Sequence, residues 1–413
     1  MSSSHLVSRR SFVRVAGTAA AAAPVLGQFR SAWALTGEPQ AKQDYQELIA
    51  RYHDPNAVII SSNENPLGPS TGALAAIAKA SVQGGRYHHE SKGEVIDAFS
   101  AQFGLKDGYV TLWPGSGTPL DLALKANLGP DKPLVVADPS YEQGPRAAQA
   151  VNAKVYSVPL TSTGAHDVRK MVAATANPGV YYIVNPNNPT GTMTPREDIL
   201  WLLENKAPGS IVIVDEAYHH FSDHEPMVDQ VVADKDLVIT RTFSKIYGMA
   251  GLRAGLLIAK PELQAKLAQL GPAATTNGAS GVSMATALAC LASIKDTNLI
   301  PQRRKINADI REATLEWLEK SGYKFYRGSQ ANFFMVDVER PGREFAALMQ
   351  KEDIYIGRTW SAMPNHVRVT VGTAPEMKKF QSAFAKVYDT APAAMSHLDL
   401  PYTAPSELPF AYA

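Results

Sequence analysis

Four short apolar runs, each followed at once by polar or aromatic residues, limit what this chain can fold into. Leu134–Ala137 leads into Pro139-Ser-Tyr141, and Val180–Val184 into Asn185-Pro-Asn-Asn-Pro-Thr-Gly191. Ile211–Val214 leads into Asp215-Glu-Ala-Tyr218, and Leu237–Thr240 into Ser244-Lys245. Runs of four or five residues, rich in Val and Ile and without alternation, predict strands buried on both faces, as in a parallel sheet covered by helices. Helix-start signals lie between them. Thr118 before Pro119 predicts an N-cap and a first helical position, and Thr194-Pro-Arg-Glu197 predicts a capping box. The repeat of strand, loop and helix predicts an α/β fold with a doubly wound, mostly parallel sheet. Such sheets bind ligands outside the carboxyl ends of their strands, so Tyr141, Asn188, Asp215, Tyr218 and Lys245 are expected to converge on one ligand.

The stretch Arg241-Thr-Phe-Ser-Lys-Ile-Tyr-Gly-Met-Ala-Gly-Leu-Arg-Ala-Gly255 says what that ligand contains. Lys245 sits among small and apolar residues, which favour its neutral, nucleophilic form, and such an amine bonds covalently to an aldehyde. Ser244 and Arg253 beside it suit a phosphate. The Gly115-Ser-Gly-Thr118 turn, at a helix N-terminus, offers the backbone amides of Ser116, Gly117 and Thr118 to an anion. An aldehyde carrying a phosphate describes pyridoxal phosphate.

The rest of the chain is consistent with a soluble enzyme. At 413 residues it is long enough for two domains, and a formal charge of +1 gives no electrostatic footprint for nucleic acid. The lone Cys290 excludes an internal disulfide and reads as a core residue. Ser61–Ser70, rich in Asn, Pro and Gly, is an irregular loop placed to line a site, with Asn65 a candidate for substrate contact. From Ile300 the character becomes α+β. A helix is expected over Pro301–Gly322, with Ile306, Ile310, Ala313 and Trp317 on its core face and Arg303-Arg-Lys305 in solvent. Strands are expected at Phe333–Val338 and Val367–Val371, and a last helix capped by Thr373-Ala-Pro-Glu376. Residues 272–281 read as a hinge or pocket wall. His219, His220 and His224 lack the spacing of a metal set, and no metal is expected.

The N-terminus carries an address. Arg9 and Arg10, followed by a mild alanine-rich run and Ser31-Ala-Trp-Ala34, match a twin-arginine export signal with a cleavage site. The expected division is residues 1–34 signal, 35–60 N-terminal arm (amphipathic near residues 40–52), 61–299 large domain, 300–389 small α+β domain and 390–413 tail. The mature protein is expected in the periplasm.

With these residues together, the chain resembles the fold-type I pyridoxal-phosphate aminotransferases, most closely the histidinol-phosphate aminotransferase branch. The resemblance rests on Asn63-Glu-Asn-Pro-Leu-Gly-Pro-Ser70, Pro186-Asn-Asn-Pro-Thr-Gly191, Asp215-Glu-Ala-Tyr218, Ser244-Lys245, Ala250-Gly-Leu-Arg253 and Val367-Arg-Val-Thr-Val-Gly372. It implies that Lys245 anchors the cofactor and carries the proton, and that Asp215 faces the pyridine nitrogen. It implies that Asn188 and Tyr218 bond the phenolic oxygen and that Tyr141 stacks on the ring. Ser116, Gly117, Thr118, Ser244 and Arg253 would hold the phosphate, and Tyr87 would reach the phosphate of a partner subunit in a homodimer. Arg368 would take a substrate carboxylate, with Asn332 and Arg358 lining the substrate pocket. The activity implied is transfer of an amino group from an amino acid or a histidinol phosphate-like amine to a 2-oxo acid. The same fold hosts pyridoxal-dependent lyases and decarboxylases, and a cofactor-binding protein without turnover is a third reading.

Overall fold

The computed structural model describes residue 54, residues 56–270 and residues 281–390. The expected export signal, the arm at residues 40–52, residues 272–280 and the tail beyond residue 390 lie outside them. The first strand is β1 (Val58–Ile60). A seven-stranded sheet follows, built from β2 (Val110–Trp113), β3 (Leu134–Asp138), β4 (Val155–Pro159), β5 (Val180–Val184), β6 (Ile211–Asp215), β7 (Leu237–Thr242) and β8 (Gly255–Ala259). Its order is β2-β8-β7-β6-β5-β3-β4. The block β7-β6-β5-β3-β4 is parallel, and β8 runs antiparallel to both β7 and β2. All four apolar runs are therefore strands of one sheet, and its α/β character is as expected.

The sheet is buried on both faces because successive residues point opposite ways. Val135, Tyr181, Ile183, Val212, Val214 and Ile239 pack into one core, with Cys290 in it, and Leu134, Val136, Tyr182, Ile213 and Val238 into the other. Val180–Val184 alternates between the two without a polar position, which is why the runs show no polar alternation in sequence.

A second layer is made by β9 (Lys324–Phe325), β10 (Phe333–Asp337) and β12 (His366–Thr370), an antiparallel sheet in the order β12-β10-β9, with β11 (Ile354–Ile356) pairing in parallel with β1. Thus β1, which precedes residue 61, pairs with a strand from the C-terminal part of the chain. The helix Ala374–Tyr388 opens on the expected capping box, in which Thr373 and Glu376 exchange bonds, and it buries Met377, Phe380, Phe384 and Val387.

Three local expectations are corrected. The helix after the glycine turn spans Gly117–Lys125, with Ser116 before it and no side-chain cap. Gly115, at φ +89, turns the chain so that helical geometry begins ahead of Thr118, and Pro119 falls where its missing N–H has no intrahelical partner to lose. The Thr194 hydroxyl does not cap Arg196–Asn205, because it bonds the backbone N–H and the ring of His166, at 3.0 and 2.8 Å. The long helix Leu299–Lys320 buries Arg303, Asn307, Arg311, Thr314, Leu315 and Leu318, whereas Ile306 and Ala313 are exposed. Ile310 and Trp317 pack against the core as expected, beside Leu315 and Leu318, and the buried polar residues of the inner face satisfy carbonyls of loops. Arg303 and Arg311 bond such carbonyls, and of the basic run Lys305 alone is fully in solvent.

Candidate active site

The C-terminal ends of β5, β6 and β7 deliver Asn188, Asp215 and Lys245 to one region, as their registers require. Asp215, 4% exposed, is fixed from three sides: the Thr240 hydroxyl and the Ala217 amide donate to Oδ1 at 3.0 and 3.2 Å, and the Tyr182 hydroxyl to Oδ2 at 3.2 Å. Burial still raises its proton affinity above the usual carboxylate range, against the hydrogen bonds. A carboxylate so placed is suited to a cationic partner. Its neighbour Glu216 points to the other face, where Arg241 bonds it at 2.8 Å through Nε.

The Lys245 ammonium donates to the carbonyl of Ser62 at 3.2 Å and lies 5.6 Å from the centre of the Tyr218 ring. Tyr218 accepts from the Asn63 side-chain amide at 3.0 Å and packs edge-on against Phe333. Tyr141 is half-buried near Tyr218 and Asp215, and burial followed by those neighbours pushes its hydroxyl up to about 12. Arg368, 6% exposed on β12, donates to Oδ1 of Asn188 at 2.8 Å and to the carbonyl of Ser61 at 2.7 Å.

The residues expected to hold a phosphate lie together in a cradle. Arg253 adopts φ +55 and donates to the Ser244 hydroxyl at 3.3 Å, and Ser244 is held by Thr242. A Cβ on Gly115 would stand 2.2 Å from a guanidinium nitrogen of Arg253, and one on Gly255 would stand 2.4 Å from the amide nitrogen of Ser116. Both positions therefore require glycine for the turn to close on the arginine. A cationic guanidinium, two hydroxyls and the first amides of a helix converge there, beside an amine and a buried carboxylate. That donor set fits a phosphorylated pyridine aldehyde.

The other candidates divide. Asn332 donates to the carbonyls of Asn63 and Glu64, each at 3.1 Å, so it braces the Ser61–Ser70 loop. Asn65 is occupied likewise: its amide donates to the Ile246 carbonyl at 3.0 Å and its oxygen accepts from Leu67. Arg358 bonds Glu142, the residue after Tyr141, at 2.6 Å and stacks near Trp360. Tyr87 is 93% exposed and lies against His89, and this chain does not fold it into the cradle. His219 and His220 are held neutral by burial, and among the described residues no group of His, Cys, Asp or Glu is arranged to hold a metal ion.

Sequence reasoning missed several residues that hold the site. Asn63 and Thr370 bond each other from opposite ends of the chain, Thr240 and Tyr182 fix Asp215, and Arg303 reaches two loops. Thr240 had a signal, since it pairs in register with Asp215 on the next strand. The long-range contacts of Asn63 had none.

Comparison with known proteins agrees with this geometry. Residues 55–384 match the family described as aminotransferase class I and II. A histidinol-phosphate aminotransferase of Moorella thermoacetica is 31% identical over 338 residues, covering 80% of this chain and 86% of its own. Histidinol-phosphate aminotransferase 2 of Pseudomonas fluorescens is 33% identical over 348 residues, covering 81% and 90%. Among solved structures, the histidinol-phosphate aminotransferase of Sinorhizobium meliloti in complex with pyridoxal-5'-phosphate shares the fold, with TM-score 0.74, 21% identity and coverage of 83% and 94%. A double mutant of the aspartate aminotransferase of Thermus thermophilus shares it with TM-score 0.71, 18% identity and coverage of 86% and 99%. The chain therefore belongs to the class I and II aminotransferases, and it is a fold-type I, pyridoxal-phosphate-dependent enzyme that moves an amino group from an amine donor to a 2-oxo acid.

Proposed function

We propose that the donor is an amine bearing an anionic group, either an α-amino acid or a phosphorylated amino alcohol of the histidinol phosphate kind. One observation carries this reading. Lys245 and Arg368 donate to the carbonyls of consecutive residues, Ser62 and Ser61, so the amine-reactive group and an anion-binding fork face one small volume. A planar, bidentate arginine suits a carboxylate or phosphate better than a lysine would. Arg358, near Trp360, supplies a second cation from the same part of the chain.

Pyridoxal phosphate, when bound, supplies an aldehyde that exchanges amines and a ring that accepts electrons. Lys245 would anchor it through Nζ and would then carry a proton for the substrate carbon. Asp215, which three donors keep from rotating away, would hold positive charge at the ring nitrogen. Asn188 and Tyr218 would hold the phenolic oxygen, and Tyr141 would cover the ring. Ser116, Gly117, Thr118, Ser244 and Arg253 would hold the phosphate.

The exposure of Tyr87, with Leu74 and Val82 exposed on and just after the helix Thr71–Ser81, supports a homodimer in which Tyr87 completes the partner's site. Mixing inactive Lys245→Ala with Tyr87→Ala subunits should restore activity if sites are shared, and no restoration removes this part. Export by the twin-arginine route rests on Arg9 and Arg10. Replacing both by lysine should leave active, uncleaved protein in the cytoplasm, whereas the unaltered protein should be periplasmic and begin at Leu35.

The test of the whole reading is a donor panel of amino acids and histidinol phosphate, followed by visible absorption without acceptor. A donor alone should shift the cofactor band, and Lys245→Ala should abolish turnover while the protein stays folded. Turnover near the unaltered rate in Lys245→Ala would remove the assignment, and release of carbon dioxide would favour a decarboxylase.

A further inference from the structure

Arg303 lies on the inner face of the helix Leu299–Lys320 and is 7% exposed. One guanidinium nitrogen donates to the carbonyl of Ile246 at 2.9 Å, and the other to the carbonyl of Gly68 at 2.6 Å. Ile246 directly follows Lys245. Gly68 belongs to the loop whose carbonyls at Ser61 and Ser62 take Arg368 and Lys245, and whose Asn63 bonds Tyr218. The two loops meet where Arg303 joins them: Gly248 has φ +67, and a Cβ on it would stand 2.1 Å from the Gly68 carbonyl oxygen. The Ile246 carbonyl also accepts from Asn65, so the segment after the lysine is held from two directions.

We propose that Arg303 is a positioning residue for transamination: by bonding the Ile246 and Gly68 carbonyls together it sets the spacing between the Lys245 amine and the Arg368 guanidinium. The inference rests on the roles given to those two residues above. Among the described residues no carboxylate lies within ion-pair distance of Arg303: its direct partners are the two backbone carbonyls, and Asp296 favours its charge only from further off. A neutral side chain of similar length, such as methionine, removes that desolvation cost together with both bonds. The fold then keeps its packing while the two loops lose their common fastener. An error of about 1 Å between reacting groups costs on the order of 100-fold in rate, so a small slip between the loops is enough to be measured.

The experiment compares Arg303→Met and Arg303→Lys with the unaltered holoenzyme. Arg303→Met should raise KM for amino donors about tenfold and lower kcat by roughly ten- to 100-fold. Its cofactor dissociation constant and thermal midpoint should stay near those of the unaltered enzyme. Arg303→Lys, which reaches one carbonyl at a time, should recover part of the loss. The readout apart from activity is the visible circular dichroism of the resting enzyme per bound cofactor, which should change in Arg303→Met. Unchanged KM, kcat and dichroism in both variants would overturn the proposal. So would a loss of activity that only follows lost cofactor or lost folded protein. Borohydride reduction and peptide mapping run alongside. Cofactor found on a lysine other than Lys245 would sink the underlying assignment, whatever Arg303 does.

Discussion

Arg368 donates to the side-chain oxygen of Asn188 at 2.8 Å, which joins β12 of the small antiparallel sheet to the loop that follows β5 of the large one. The residue expected to seize the substrate's anion is thereby oriented by a residue expected to touch the cofactor. Arg368→Ala should lower kcat/KM for carboxylate-bearing donors by about two to three decades, or roughly 3–4 kcal/mol. Arg368→Lys should recover little, because one ammonium does not span both Asn188 and the Ser61 carbonyl. Steady-state kinetics across donors checks this, and an unchanged preference for carboxylates would move the anion site elsewhere.

Asp215 gives opposite signs with and without cofactor. Burial raises its folded proton affinity above the unfolded value, so as pH rises past the ordinary carboxylate range the unfolded chain loses its proton first and the apoprotein loses stability. Asp215→Asn should therefore raise the thermal midpoint of the apoprotein at neutral pH. The amide can still accept from Thr240 and Ala217 and donate to the Tyr182 oxygen. In the holoenzyme the same change should cost on the order of 10²- to 10³-fold in kcat, since a neutral amide would not serve the role proposed for Asp215 at the ring nitrogen. Calorimetry of the apoprotein and steady-state kinetics of the holoenzyme check the pair of signs.

Gly115→Ala should weaken cofactor binding while leaving the protein folded. The new methyl would overlap the Arg253 guanidinium, a flexible tip that moves, and the φ of +89 adds about 1 kcal/mol or more of strain. Displacing Arg253 from Ser244 should raise the dissociation constant for pyridoxal phosphate at least about tenfold, or about 1.4 kcal/mol. Titration of apoprotein with cofactor measures it.

The parts legible in the sequence were those that depend on local pattern. β5 and β6 could be read because apolar runs of four or five residues have few other uses, and the gathering of Asp215 and Lys245 in one region because parallel strands end on one side of the sheet. Of the inner face of Leu299–Lys320, Ile310 and Trp317 were legible as core contacts, but its polar part was not. That part meets carbonyls of distant loops, so buried Arg303 and Arg311 carry the pattern of a solvated face. Thr194 shows the same limit: a hydroxyl suited to a helix cap was taken by His166, 28 residues away. Asn65 was legible as a loop residue beside the site, but not as one occupied with holding Ile246.

Acid should destabilise the fold from a definite pH. Burial lowers His166 to about 3 and His219 to about 4, and holds His220 well below its ordinary value. The unfolded chain binds protons at these positions from about pH 6.5 downward while the folded chain does not, so stability falls as pH drops through that value. Each histidine adds up to about 1.4 kcal/mol per pH unit to that slope. His166→Gln should flatten it by about that amount, as read from urea unfolding between pH 7.5 and 5, with buffers about half a unit apart.

Thr242 at the end of β7 pairs with Gly255 at the start of β8, so residues 243–254 leave the sheet and return to it at one rung. Ser244, Lys245 and Arg253 all lie on that closed excursion, which makes it a cassette with its own internal ruler. Tyr141, Asn188 and Asp215 instead reach the site at or just after the ends of separate strands, and the crossovers that follow can lengthen at their far ends without moving the near ones. Insertions should be tolerated in those crossovers and not between residues 245 and 253. A transplanted cassette should carry the spacing between Lys245 and Arg253 with it.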